Sequence, residues 1–217
     1  MPNQNPNVMN QQMQQQQQQQ QGTQLSESMP PNKSHGGHEL FDTHEVIGGV
    51  IGTLDQYELY NQHIQDQQLK SILNRQKSFL TELYNIMVET LKTGQKPSQS
   101  TSVYHMTESN DVMYGLTPST PKKPVGSVNE LKDENISGFM LGQVKGLASM
   151  MAMTALEMTN PVMRRVTADS VPNLIEMSYE VFLYQNRNGY YQVAQLADQD
   201  MTHMVDSYAP APPPTLN

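Results

Sequence analysis

The sequence predicts an all-α protein, a ferritin-like four-helix bundle built from two helical hairpins with a long crossover and with disordered N- and C-terminal tails. Three observations carry this. Apolar residues recur at alternating steps of three and four in four stretches, helix stop signals close those stretches in pairs, and a Pro/Ser/Thr-rich run separates the first pair from the second. Two antiparallel pairs joined by one long connection is ferritin-like connectivity. The expected organisation is a Gln-rich tail over residues 1–37, a bundle over 38–208 and a Pro-rich tail over 209–217. Within the bundle, hairpin 1 covers about 39–92, the crossover 93–135 and hairpin 2 about 136–190.

Helix A starts near Leu40 and Asp42 and reaches about Ile64. Its expected seam is Leu40, Thr43, Ile47, Val50, Leu54, Tyr57, Asn61 and Ile64. Asp66 stands where an N-cap belongs. Helix B follows with Leu69, Leu73, Gln76, Leu80, Leu83, Met87 and Thr90, and ends at Gly94 with Pro97 beyond. The short A–B link forces the two helices to lie antiparallel as neighbours. Gly48, Gly49 and Gly52 fall inside helix A, where each costs about 0.8–1 kcal/mol against Ala. The expected reason is close approach by a crossing helix.

The crossover contains Pro97, Pro118, Pro121 and Pro124 and must travel the bundle length so that helix C begins parallel to B. Helix C places Met140, Val144, Leu147, Met151, Thr154 and Met158 at bundle spacing. Its extra methionines, Met150 and Met153, read as gap-filling core rather than a soft-metal stripe, since no Cys or His accompanies them. Asn160-Pro161 marks a turn with Pro at the first position of helix D. That seam reads Met163, Val166, Ser170, Leu174, Met177, Val181 and Tyr184. Pro172 lies within it, which predicts a kink or a restart capped by Asp169 or Ser170. Asn188-Gly189 closes the helix, and a short fifth helix is expected within 194–208.

Composition bounds function. The chain has 217 residues, 36% of them hydrophobic, with mean hydropathy −0.62, which suits one bundle with polar ends. It has no cysteine, so disulfides, thiolate metal sites and a Cys nucleophile are excluded. No run approaches the roughly 18 consecutive apolar residues of a membrane span. The first 29 residues hold neither Lys nor Arg nor an apolar core of the signal-peptide kind, so synthesis in the cytoplasm with no signal peptide is expected. A net charge of −8 with only Lys122-Lys123 and Arg164-Arg165 as basic clusters argues against nucleic acid as partner. The Gln14–Gln21 run cannot bury enough apolar surface to order itself, while Gln amides pair readily and favour assembly.

The chemistry-bearing patterns are sparse. Two-metal carboxylate bundles need a Glu-x-x-His pair on each of two helices and a carboxylate on each of the others, because two cations require bridging oxygens and one imidazole each. This chain has no Glu-x-x-His. Its histidines are His35, His38, His44, His63, His105 and His203, none of them on helices B, C or D, and helix C carries no acid between Ile136 and Leu156. His38 and Asp42 share one face at i,i+4 with His35 nearby, but Glu39, Asp42 and Glu45 are explained as first-turn acids complementing the helix dipole. Neither Gly-x-Ser-x-Gly nor a Gly-rich phosphate loop occurs. The reading is therefore no catalytic, cofactor-binding or metal-binding residue, no cofactor and no enzymatic activity. The alternative is a ferritin-like redox enzyme with an atypical metal site, drawing on acids such as Glu58 or Glu176.

Four separated runs carry a family likeness: HELFDTHEV at 38–46, DQQLKSILNRQ at 66–76, TNPVMRR at 159–165 and YQNRNGYYQV at 184–193. In these the chain resembles the spore coat protein F family of endospore-forming bacteria over about residues 38–195. The resemblance implies a ferritin-like fold, a place in the spore coat, other spore coat proteins as partners and a structural role. It supplies no catalytic residues. The Gln-rich head departs from the family's core pattern, and homo-oligomerisation and cross-linking of Gln, Lys or Tyr stay open.

Overall fold

The computed structural model describes residues 35–213. Four long helices of matched length form the bundle: α1 (Gly37–Asn61), α2 (Gln67–Thr93), α3 (Asp133–Glu157) and α4 (Pro161–Arg187). A short α5 (Asp198–Val205) follows, and a 3-10 turn at Val128–Glu130 leads into α3. The ferritin-like order holds. The start of α1 meets the α3–α4 turn and the end of α2, and Asp133 at the start of α3 meets the α1–α2 link at Gln65 and Asp66. Helices α2 and α3 are therefore parallel, and the crossover runs the bundle length. The Gln-rich expectation over residues 1–37 lies outside the described residues except for its last three. Of those, His35 and Gly36 already contact the bundle end and Gly37 opens α1.

Local chemistry sets the helix ends. The Asp66 carboxylate accepts from Gln68 N at 2.7 Å, and Gly94 ends α2 with a φ of 65° that a side chain would resist. Asn160 Oδ1 accepts from both Val162 N and Met163 N at 2.9 Å, with Pro161 behind it as the first helical residue. Gly189, at φ 71°, follows the end of α4.

The seams of α2, α3 and α4 are buried as their spacing requires, and Met150 packs half-buried against the core, but the reading of Met153 as core is corrected: it lies on the outer face of α3, 66% exposed. Helix α1 differs. Its inward row is Glu39, Thr43, Val46, Val50, Thr53 and Tyr57, while Leu40 is 45% exposed and Ile47 and Leu54 are half-buried. Two rows offset by one residue share Thr43, Val50 and Tyr57, and periodicity alone cannot choose between them. The tertiary bonds of Glu39, described below, choose. This also corrects the reading of Glu39 as a simple dipole-complementing acid, because it is fully buried.

Pro172 does not restart α4, which runs unbroken from Pro161 to Arg187. Pro172 leaves the Ala168 carbonyl without its N–H donor, and side-chain donors serve carbonyls on either side of that one: Ser170 Oγ donates to Val166 O at 2.7 Å and Asn173 Nδ2 to Asp169 O at 2.8 Å. Tertiary packing of the seam on either side outweighs the local defect. Helix α3 is long and apolar enough, by length and composition alone, to cross a membrane. Here Ile136, Met140, Val144 and Met151 bury its inner face in the bundle core, yet only 39% of its most apolar window is buried.

The glycine expectation is corrected in part. A Cβ on Gly49 would sit 2.5 Å from Met150 Cε, the movable end of its side chain, and 3.4 Å from Leu147 Cδ1, so α3 side chains cover this glycine and a larger residue here must displace them. Gly48 and Gly52 face open space. Gly49→Leu is accordingly expected to cost about 1–3 kcal/mol by overpacking. Gly48→Ala should stabilise by roughly 0.5–1 kcal/mol. The exposed control Gln67→Leu should change little. Thermal unfolding of the three variants checks the order, and equal melting temperatures for Gly49→Leu and Gln67→Leu would remove the crowding argument.

Candidate functional site

In a ferritin-like bundle, cofactor chemistry belongs at the axis, where side chains of facing helices meet. Here that space holds Val50, Leu73, Leu80, Met140, Val144, Met177 and Val181, all fully buried. One neutral polar chain crosses it. Tyr57 Oη donates to Gln76 Oε1 at 2.7 Å, and Gln76 Nε2 donates to Met177 O at 2.9 Å. Burial, with Tyr104 and Tyr60 adding repulsion, pushes the Tyr57 hydroxyl well above its ordinary range, so it stays neutral.

The buried carboxylates lie off the axis and hold backbone. Glu180 of α4 has a fully buried side chain and accepts from Arg75 Nη2 at 2.6 Å, from Thr107 N at 2.8 Å and from Tyr104 Oη. Burial, then the Glu180 carboxylate, raise the Tyr104 hydroxyl far above its ordinary value. The Tyr104 ring meets Phe79 edge-on at 5.6 Å, and Tyr104 N donates to Asn173 Oδ1 at 2.8 Å. One heptad further along α4 than Glu180, Arg187 pairs with Glu108, whose other oxygen accepts from Gln68 Nε2 at 2.7 Å. Asn186 closes the row, with Oδ1 accepting from Met113 N at 2.6 Å and Nδ2 donating to Met113 O and Tyr191 O, each at 2.9 Å. Residues 173, 180 and 187 thus form one stripe that fastens the crossover against α2 and α4. That seven-residue spacing of Asn, Glu and Arg was the available signal in the sequence, and reading the crossover as a plain connector missed it.

Glu39 plays the same part at one pole. It accepts from Thr159 N and Asn160 N, both at 2.9 Å, from Thr159 Oγ1, and from His35 Nδ1 at 2.8 Å. Burial alone would raise its pKa, but the bonds from Thr159, His35 and Asn160 outweigh burial and hold it below the usual carboxylate range. His35 Nε2 donates to Leu91 O at 2.7 Å, and Asn160 Nδ2 to Gly94 O at 3.0 Å, so four helix ends are locked together. At the other pole both oxygens of Asp133 accept, from Gln65 N at 3.0 Å and Asp66 N at 3.1 Å. Tyr184 Oη donates to Asp66 Oδ2 at 2.9 Å.

The residues considered for a metal do not converge. His38 Nδ1 lies 3.2 Å from Asp42 with its side chain 74% exposed, while His35 turns away to Glu39 and Leu91. Glu58 pairs with Lys77 at the surface, and Glu176 is exposed. Among the described residues no three of His, Asp and Glu form a group that could hold a metal ion.

Comparison with known proteins agrees with this architecture. The Coat F domain model matches residues 132–194, which comprise α3, the Asn-Pro turn, α4 and the Gly-Tyr-Tyr-Gln exit. The chain is 51% identical over 183 residues to the spore coat protein F-like protein YhcQ of Bacillus subtilis strain 168, covering 83% of this chain and 84% of that protein. A crystal structure from Bacillus halodurans C-125, of a protein described as a spore coat protein, superposes with a TM-score of 0.54 at 13% identity. The match covers 76% of this chain and 96% of the other, and shows a shared fold. With identity of this level along most of its length, the chain belongs to the coat F family of spore coat proteins.

Proposed function

We propose that this protein is a structural component of the bacterial endospore coat that acts through packing against other coat proteins and not through catalysis. The observation that carries this reading is the use made of its buried acids. Glu39 and Glu180 are both fully buried and both spend their oxygens on the chain's own backbone and side chains at Thr159, Asn160, Thr107, Tyr104 and Arg75. Carboxylates so engaged brace a scaffold. The relative's description as spore coat protein F-like supports the coat assignment. Exposed Tyr114, Tyr191 and Tyr208 supply phenols within reach of neighbouring chains, which suits cross-linking once the coat has assembled.

A fluorescent fusion followed through sporulation tests the assignment. It is expected to gather as a shell around the developing spore, and diffuse mother-cell fluorescence to the end of sporulation would sink it. The redox alternative is met by metal analysis of the purified chain. The expected result is less than stoichiometric iron, manganese or copper. About two metal ions per chain, lost on Glu58→Ala or Glu176→Ala, would reverse the reading.

A further inference from the structure

Helix α3 carries two seams with the same spacing. The inner one, Met140, Val144, Leu147, Met151 and Thr154, is buried in the bundle. The outer one is Phe139, Gly142, Gly146, Ser149, Met153 and Leu156, and every member is exposed, with Met153 at 66% and Leu156 at 85%. Steps of 3, 4, 3, 4 and 3 are the repeat by which one helix packs along another. This seam contains no charged residue in a chain of net charge −8. The nearby Lys145 turns aside toward the Tyr191 ring, 6.0 Å from its centroid.

Nothing within the chain crowds the glycines of this seam. A Cβ at Gly142 or Gly146 would meet nothing within 4 Å, although glycine in a helix interior is costly relative to alanine. Their order along the helix says what they accommodate. The seam reads the same spacing from either end, so an antiparallel copy of α3 places Met153 of the second chain over Gly142 and Ser149 over Gly146. Phe139 then meets Leu156. Met153 of each chain falls on Gly142 of the other, the small Gly146 and Ser149 meet at the axis where the helices come closest, Phe139 and Leu156 close the two ends, and two acidic chains meet along a surface free of like charge. A seam of this kind fits its own image.

We propose that the outer seam of α3 is a self-association surface, through which two copies of this chain pair antiparallel about a two-fold axis between Gly146 and Ser149. The contact is about 26 Å long and roughly 10 Å wide. It buries roughly 500 Å² in total, below the ~1,200 Å² of a standard stable interface. Pairing is therefore concentration-dependent and suits a protein that must reach high local density before it assembles.

Sedimentation equilibrium of the full chain from roughly 1 µM to 1 mM tests the surface. The wild-type chain is expected to shift from monomer to dimer within that range. Gly146→Glu, whose side chain enters open space, should weaken pairing at least tenfold with an unchanged or raised melting temperature. Gly48→Glu, equally open but off the seam, should pair as wild type. A wild-type chain monomeric throughout, or a Gly146→Glu variant that pairs normally, would overturn the proposal. Orientation is read separately, because the chain has no native cysteine. Gly146→Cys chains mixed with Ser149→Cys chains under oxidising conditions should form mainly the mixed disulfide, whereas a predominance of like-with-like disulfides would overturn the antiparallel register.

Discussion

Glu180→Leu is expected to lower stability by about 3–5 kcal/mol, the usual loss when one partner of a buried ion pair is removed. The variant strands Arg75 and leaves the Tyr104 hydroxyl and the Thr107 N–H without their acceptor. For a chain of this size the melting temperature should fall on the order of 10 °C. Limited proteolysis should move to the crossover around residues 103–113, because those are the residues that Glu180 and its neighbours fasten. The double variant Arg75→Met with Glu180→Leu should recover part of the loss, since two apolar groups replace a pair whose desolvation was itself costly. A single variant that melts with the wild type would show that the crossover is held by other means.

Glu39→Gln is expected to cost about 1–3 kcal/mol at neutral pH, because the amide keeps one accepting oxygen for Thr159 N and Asn160 N but sets an NH2 group where the other oxygen takes the His35 Nδ1–H, and the charge that strengthens these bonds is lost. The same site sets a pH dependence. Its native pKa is lowered from 4.5, so the carboxylate contributes stability above the ordinary carboxylate range, and the contribution is lost as pH falls through the depressed native value. Urea unfolding of the wild type should therefore show a midpoint that declines on acidification below about pH 4.5. Glu39→Gln should start lower and decline less over the same interval. Parallel curves for the two proteins would mean that Glu39 is not among the groups governing acid stability.

Much of the bundle was legible in the sequence because helix periodicity, capping residues and stop signals are local. Asp66, Gly94 and Asn160-Pro161 mark helix ends whether or not the rest of the chain has folded, and three of the four seams are rows of Leu, Met and Val that admit one inward face. Helix α1 was legible only as a helix. Its two candidate rows share residues and differ by one step, and the choice between Leu40 and Glu39 was made by hydrogen bonds from a turn 120 residues away. Pro172 shows the same limit from the other side. A strong local breaker was overridden by packing on both flanks of α4.

The bracing carboxylates were the least legible, since an acid read in sequence is a surface residue until its partners are known. The sequence by itself determined the helices, their pairing, the long crossover, the absence of a Glu-x-x-His constellation and the likeness to coat F proteins, since each rests on residue identity and short-range spacing. Only the tertiary structure decided which acids are buried, which glycine is crowded and which face of α3 is left open. Those properties belong to contacts between residues remote in the chain, and such contacts exist only once loop closure has been paid for and the four helices meet.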